Sequence, residues 1–262
     1  MPGLKETELA MSDFNNGFSR PAQAPARAEV EVDAGLRTFM LGVYNKLAIG
    51  LVVAGALAYV TGNVPAVQEL LFVQTANGVG LTLLGMIVQF SPLVMLFGSM
   101  FFMKNPSARG VNLLYWAVVA TIGAGLGIVF LRYTNASIAS TFFVTAAAFG
   151  GLSLFGYTTK RDLGPMGKFL IMGVIGLIIA SLVFMFLPAA QNPVFYFAIN
   201  IIGVLLFAGL TAYDTQRLKM TYYALEGDKH GLAVATGFGA LGLFINFINM
   251  FQFMLALMGG RE

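Results

Sequence analysis

Seven long apolar runs, parted by short segments that hold nearly all of the charge, leave lipid as the solvent for most of this chain. They fall near residues 36–61, 79–103, 111–131, 138–157, 167–187, 194–215 and 232–258. About 20 apolar residues in a helix cross the roughly 30 Å of hydrocarbon in a bilayer, so each run is long enough to span it. With 10% of 262 residues charged and 58% hydrophobic, the chain has too few charges to cover the surface of a soluble domain of this size. In lipid every backbone N–H and C=O needs an internal partner, and the runs show no period-two alternation. The predicted fold is therefore all-α: a polytopic membrane protein of seven transmembrane helices rather than a barrel. Glycine, at 31 residues, permits close helix approach, and 14 methionines supply adaptable packing.

Residues 1–34, with Pro21, Pro25 and no apolar periodicity, read as a disordered cytoplasmic tail ahead of a single seven-helix domain over 35–262. Orientation follows from basic residues. Lys5, Arg20, Arg27 and Arg37 precede the first span; Lys104 and Arg109 follow the second; Lys160, Arg161 and Lys168 follow the fourth; Arg217, Lys219 and Lys229 follow the sixth. Only Arg132 and Arg261 fall on the other side, with Lys46 inside the first span. The positive-inside rule then places the N-terminus in the cytoplasm and, after seven crossings, the C-terminus outside. The expected location is a multi-pass position in a membrane.

Several function classes drop out. Without cysteine there are no disulfides, thiolate metal sites or thiol nucleophiles. No basic patch is interleaved with aromatics, so nucleic acid is not an expected partner. The Gly237-Phe238-Gly239-Ala240-Leu241-Gly242 stretch has dinucleotide-fingerprint spacing but lies inside an apolar span with no preceding strand, and reads as a helix-packing face; Gly123-Ala124-Gly125-Leu126-Gly127 reads likewise. His230, the one histidine, has no ligand partner at metal spacing. No hydrolytic constellation can be assembled, so neither an enzyme nor a cofactor is expected. Pro92 is predicted to kink the second span and free a carbonyl, either to line a cavity or as a tolerated packing kink.

The informative segment is Tyr213-Asp214-Thr215-Gln216-Arg217, near the cytoplasmic end of the sixth span. A carboxylate there is disfavoured by the negative end of the helix dipole, so something must compensate. One reading pairs Asp214 with Arg217 at i,i+3 in the interface. The other turns Asp214 into the bundle as a proton or cation site. In the last span, Asn246 and Asn249 share a face at i,i+3, and amides at that depth need partners. Spacing alone does not say whether that face meets Asp214.

These segments resemble the transmembrane Bax inhibitor motif family in its bacterial form, over nearly everything after residue 35. The likeness is carried by Val43-Tyr44-Asn45-Lys46-Leu47-Ala48-Ile49-Gly50-Leu51, by 141–162, by Gly156-Tyr157-Thr158-Thr159-Lys160-Arg161-Asp162-Leu163, by Tyr213-Asp214-Thr215-Gln216 and by Phe247-Ile248-Asn249-Met250-Phe251. The resemblance implies two three-helix layers around a central C-terminal helix and a pH-sensitive calcium leak. Its latch is a pair of aspartates in the sixth and seventh helices, with the bilayer, Ca²⁺ or other cations as partners. Asp214 matches the first aspartate; the second position holds Asn246, a departure from the pattern. Arg217, Tyr213, Gln216 and Asn249 are the supporting residues. The resemblance equally allows a non-conducting regulator that binds other membrane proteins, such as a membrane-anchored protease.

Overall fold

The computed structural model describes residues 24–75, 78–186 and 192–260. Eight helices and one hairpin follow in order: α1 (Ala24–Asn63), α2 (Pro65–Leu71), β1 (Phe72–Thr75), β2 (Gly78–Leu81), α3 (Leu83–Phe102), α4 (Ala108–Gly125), a 3₁₀ segment (Leu126–Leu131), α5 (Asn135–Thr158), α6 (Gly164–Phe186), α7 (Pro193–Ala224) and α8 (Lys229–Met258). Seven stretches are long and apolar enough to span a membrane, matching the seven predicted runs to within a few residues at most ends. The main exception is the sixth, whose helix runs on to Ala224 rather than ending near 215.

Local chemistry starts these helices where the apolar runs begin. Thr82, Ser107, Thr134, Asn192 and Asp228 each place a side-chain oxygen on a first-turn N–H, at 2.9 to 3.3 Å. Each cap is worth about 1 kcal/mol. Pro65 and Pro193 occupy the first helical position, where a missing N–H costs nothing.

Two expectations need revision. Of the tail over 1–34, residues up to 23 lie outside the described residues, but α1 is already helical from Ala24. Its Ala-Arg-Ala-Glu stretch is rich in strong helix formers, which outweighs the lack of an apolar stripe. The chain through Arg37 forms one unit and Thr38 onward another. Second, residues 79–81, taken as the start of a span, belong to an antiparallel hairpin in which Phe72 pairs with Leu81 and Thr75 with Gly78. Gly78 has φ +110, a conformation only glycine adopts readily, and it turns the chain there. A four-residue strand of Gly-Val-Gly-Leu is too short to separate from an apolar run by periodicity.

At the centre lies α8, the most buried of the spans; Ala240, Leu243 and Phe244 are fully buried. It packs against α4, α5 and α7. The glycine face read from the sequence does this packing. A Cβ at Gly237 would meet Val111 at 2.5 Å, and one at Gly239 would collide with the Leu218 side chain. A Cβ at Gly123 would likewise lie 2.7 Å from the Ala54 backbone. Pro92 lies buried inside α3. The carbonyl it leaves without a helical donor, that of Val88, accepts the Ser91 hydroxyl at 2.8 Å and so keeps a partner. Lys46, the charge inside the first span, donates to Asn112 Oδ1 at 2.7 Å and sits 4.8 Å from the Tyr115 ring centre. The Tyr115 hydroxyl in turn donates to the Lys46 carbonyl at 2.6 Å.

Candidate functional site

Asp214 lies ten residues before the end of α7, on the side that meets α8. Its side chain is 14% exposed, against 56% for Arg217. One carboxylate oxygen accepts the Asn246 amide N–H at 2.7 Å; the other stands 3.2 Å from an Arg217 guanidinium nitrogen. The i,i+3 pair with Arg217 and the turn toward the bundle therefore occur together. The carboxylate faces the bundle through Asn246 and reaches water-side charge through Arg217. A Cβ at Gly242, one turn before Asn246 on α8, would lie 3.9 Å from the carboxylate, so the absence of a side chain there keeps that approach open.

The local sequence explains the arrangement. Thr215, fully buried beside Asp214, hydrogen bonds the Tyr44 hydroxyl of α1 at 3.1 Å, tying a third helix to this level. Tyr213 packs over Gly167 of α6, and its ring lies 5.7 Å from the Arg217 guanidinium carbon. That contact steadies the arginine that pairs with Asp214.

Gln216 does not touch the carboxylate. Its amide oxygen accepts the Leu163 N–H at 2.8 Å, and its amide nitrogen donates to the Arg161 carbonyl at 2.7 Å, clamping the α5–α6 loop onto α7. Lys219 adds to this hold by donating to the Tyr157 carbonyl at 3.2 Å, in the last turn of α5 where a cation offsets the helix dipole. Asp162 caps the start of α6 by accepting the Gly164 N–H at 2.8 Å. The two sequence words Tyr-Asp-Thr-Gln and Gly-Tyr-Thr-Thr-Lys-Arg-Asp-Leu are therefore partners in space. The first holds the second in place.

Asn249 is not brought to Asp214 either. Its amide N–H bonds the Ile245 carbonyl at 2.8 Å, and the residue lines a separate polar cavity at the far end of α8. Three residues earlier, Asn246 is 5% exposed and sits at the carboxylate. Tyr44 was not foreseen at the site, because a tyrosine in an apolar span carries no spacing signal toward a helix 171 residues away. Among the described residues no cluster of three potential metal ligands occurs, and His230 is exposed.

The polar pair, the loop clamp and the seven spans can be compared with known proteins. A family model described as Inhibitor of apoptosis-promoting Bax1 matches residues 36–262. A protein of Caulobacter vibrioides, named only as uncharacterized, is 61% identical, covering 96% of this chain and all of the relative. The inner membrane protein YbhL of Escherichia coli is 40% identical over 89% of this chain and 96% of its own. A protein of Rickettsia prowazekii is 39% identical over 88% and 92%. Together with the seven-span helical fold, these matches make the chain a multi-pass membrane protein that belongs to the Bax inhibitor-1-like family.

Proposed function

We propose that this protein is a cation leak, passing calcium among other cations, with Asp214 and Asn246 as the latch between α7 and α8. The observation that carries the reading is the 2.7 Å bond from the Asn246 amide to a carboxylate that is largely withdrawn from solvent. A carboxylate at membrane depth is costly unless it serves a path or a partner. Here it has one neutral donor and one exposed arginine, whose place at the carboxylate a cation would take.

Asn246 also defines how this latch differs from a pair of aspartates. Two adjacent carboxylates share one proton and titrate as a unit. An amide offers the same donor without a proton to lose. The titratable and charged groups near the carboxylate are Arg217 and Tyr213 on α7, and Tyr44 on α1 acting through Thr215. None of these supplies the shared proton of a carboxylate pair, so the native leak responds only weakly to pH.

Purified protein in calcium-free liposomes tests the reading directly. Wild type admits Ca²⁺, and Asp214→Asn, which keeps the shape but removes the charge, lowers the flux by about tenfold, equivalent to ~1.4 kcal/mol. Wild-type flux no greater than in empty liposomes would instead favour the regulator that binds membrane proteins. Flux unchanged in Asp214→Asn leaves the carboxylate a structural partner of Arg217.

The N-terminus is proposed to be cytoplasmic, because Lys104, Arg109, Lys160, Arg161 and Lys168 all fall in the loops after the second and fourth spans or in the first turns of the helices that follow them. Reporter fusions after residues 110, 163 and 225 should all report the cytoplasm. An external signal from the fusion after 163 would overturn the orientation.

A further inference from the structure

The third span changes pitch before it ends. Its 3₁₀ segment, Leu126–Leu131, stands between two cavities of opposite character. One is a groove of about 400 Å³ whose walls are mostly apolar, with Ala54, Gly55, Ala58, Phe130, Phe142 and Phe251 among them and Asn135 as its one amide. It lies along the second half of the first span, where the surrounding solvent is hydrocarbon. The other, of about 230 Å³, is lined by Arg132, Tyr133, Tyr196, Asn200, Asn249 and Gln252. Val129 lines both, so the two are neighbours across a single side chain.

The polar cavity is built for a particular charge pattern. Asn200, 4% exposed on α7, donates its amide N–H to the Tyr196 carbonyl at 2.7 Å, and Asn249 on α8 does the same to Ile245 at 2.8 Å. With the nitrogens turned to their own helices, the amide oxygens are the atoms left to accept a bond from an occupant. Arg132 supplies a fixed positive charge. One of its nitrogens is anchored on the Val79 carbonyl of β2 at 3.0 Å, which leaves the remaining guanidinium donors for a ligand.

An occupant of both spaces needs an anionic group for Arg132, a hydrogen-bond donor for the amide oxygens, for which an ammonium N–H is the strongest, and an alkyl tail for the groove. We propose that this is a binding site for one phosphoethanolamine-headed phospholipid of the leaflet nearest the hairpin. Its phosphate meets Arg132, its ammonium meets Asn200 and Asn249, and one acyl chain enters the groove beside Gly55. Phosphocholine has no N–H or O–H to donate, and the hydroxyls of phosphoglycerol donate without the charge that strengthens an ammonium's hydrogen bond, so both fit the polar cavity less well. The groove also falls within the roughly 300–1,000 Å³ typical of ligand pockets. The site stands whether or not the protein passes cations.

Lipid-stripped full-length protein in detergent provides the test, by native mass spectrometry and by thermal stabilisation with dioleoyl lipids of the three headgroups. The expected result is a single retained phosphatidylethanolamine, bound about tenfold or more tightly than phosphatidylcholine or phosphatidylglycerol. Gly55→Phe should weaken binding of all three lipids from the tail end, because it fills the groove from a position where a Cβ meets no atom within 4 Å. Arg132→Gln and the exposed-site variant Gln252→Leu should weaken the preference from the headgroup end. Equal binding of the three lipids, or wild-type affinity in both headgroup-end variants, overturns the proposal.

Discussion

Asn246→Asp is expected to turn a cation leak that is nearly independent of pH into one that rises steeply as pH increases. In the native chain the Asp214 carboxylate is held by an amide N–H at 2.7 Å, and an amide keeps its protons at any physiological pH. An aspartate at 246 forms the same bond only while one proton is shared between the two carboxyls. As that proton leaves, two negative charges face each other. At about 4 Å and an effective dielectric of about 20 they repel by roughly 4 kcal/mol. A hydrogen bond to a charged group contributes roughly 1.5–3 kcal/mol, so repulsion wins and α7 and α8 part at this level. Acid therefore closes the variant and base opens it, with flux differing by about tenfold or more between the two limits. Calcium uptake by liposomes across a pH series, for wild type and variant side by side, reads this directly. A flat profile in Asn246→Asp means that the two residues do not form a latch. Independent geometry comes from cysteines placed at 214 and 246 in a chain that has none of its own. They cross-link only if their Cα atoms lie within about 7 Å.

Fold class was legible because lipid imposes a single rule on every residue of a span. An apolar run about 20 residues long has one solution, and each of the seven runs took it. Inside that rule the details are set by side-chain size, which periodicity does not report. Gly237 and Gly239 read as a packing face, and they are one, but nothing in their spacing named Val111 and Leu218 as the partners. The hairpin escaped notice for the opposite reason: Val79 and Leu81 are as apolar as the span that follows them, and only the backbone register separates the two. At the candidate site, the cost of a carboxylate near a helix C-terminus pointed to Asp214 before any contact was known. The alternatives drawn from it, a surface pair with Arg217 or a turn into the bundle, proved compatible, because a carboxylate has two oxygens and each took one partner. Gln216 and Asn249 were grouped with the site by sequence proximity. A helix turns by 100° per residue, so Gln216, two residues beyond Asp214, faces the α5–α6 loop, while Asn249 keeps the face of Asn246 but lies almost one turn further along α8, at the far cavity.

Gly156→Val should cost more stability than the other substitutions considered, at least ~3 kcal/mol, because it strikes the contact that fixes α5 against α7. A Cβ at 156 would run into the Ala212 carbonyl and lie 2.9 Å from both its carbonyl carbon and its Cα. All three atoms are backbone, so no rotamer change can relieve the clash, and the helices must separate. The damage does not stop at packing. Tyr157, the next residue, offers the carbonyl that Lys219 binds, and the loop beyond it is held by Gln216. Both holds lie within two turns of Asp214 on α7, so a displaced α5 also releases the helix that carries the latch. Gly150→Ala on the same helix is the control. Its Cβ meets nothing within 4 Å, and exchanging glycine for alanine in a helix gains roughly 0.5–1 kcal/mol. Thermal melting of the purified variants in detergent compares them. If Gly156→Val melts with wild type, α5 and α7 do not approach this closely, and the loop clamp cannot be what positions Asp214.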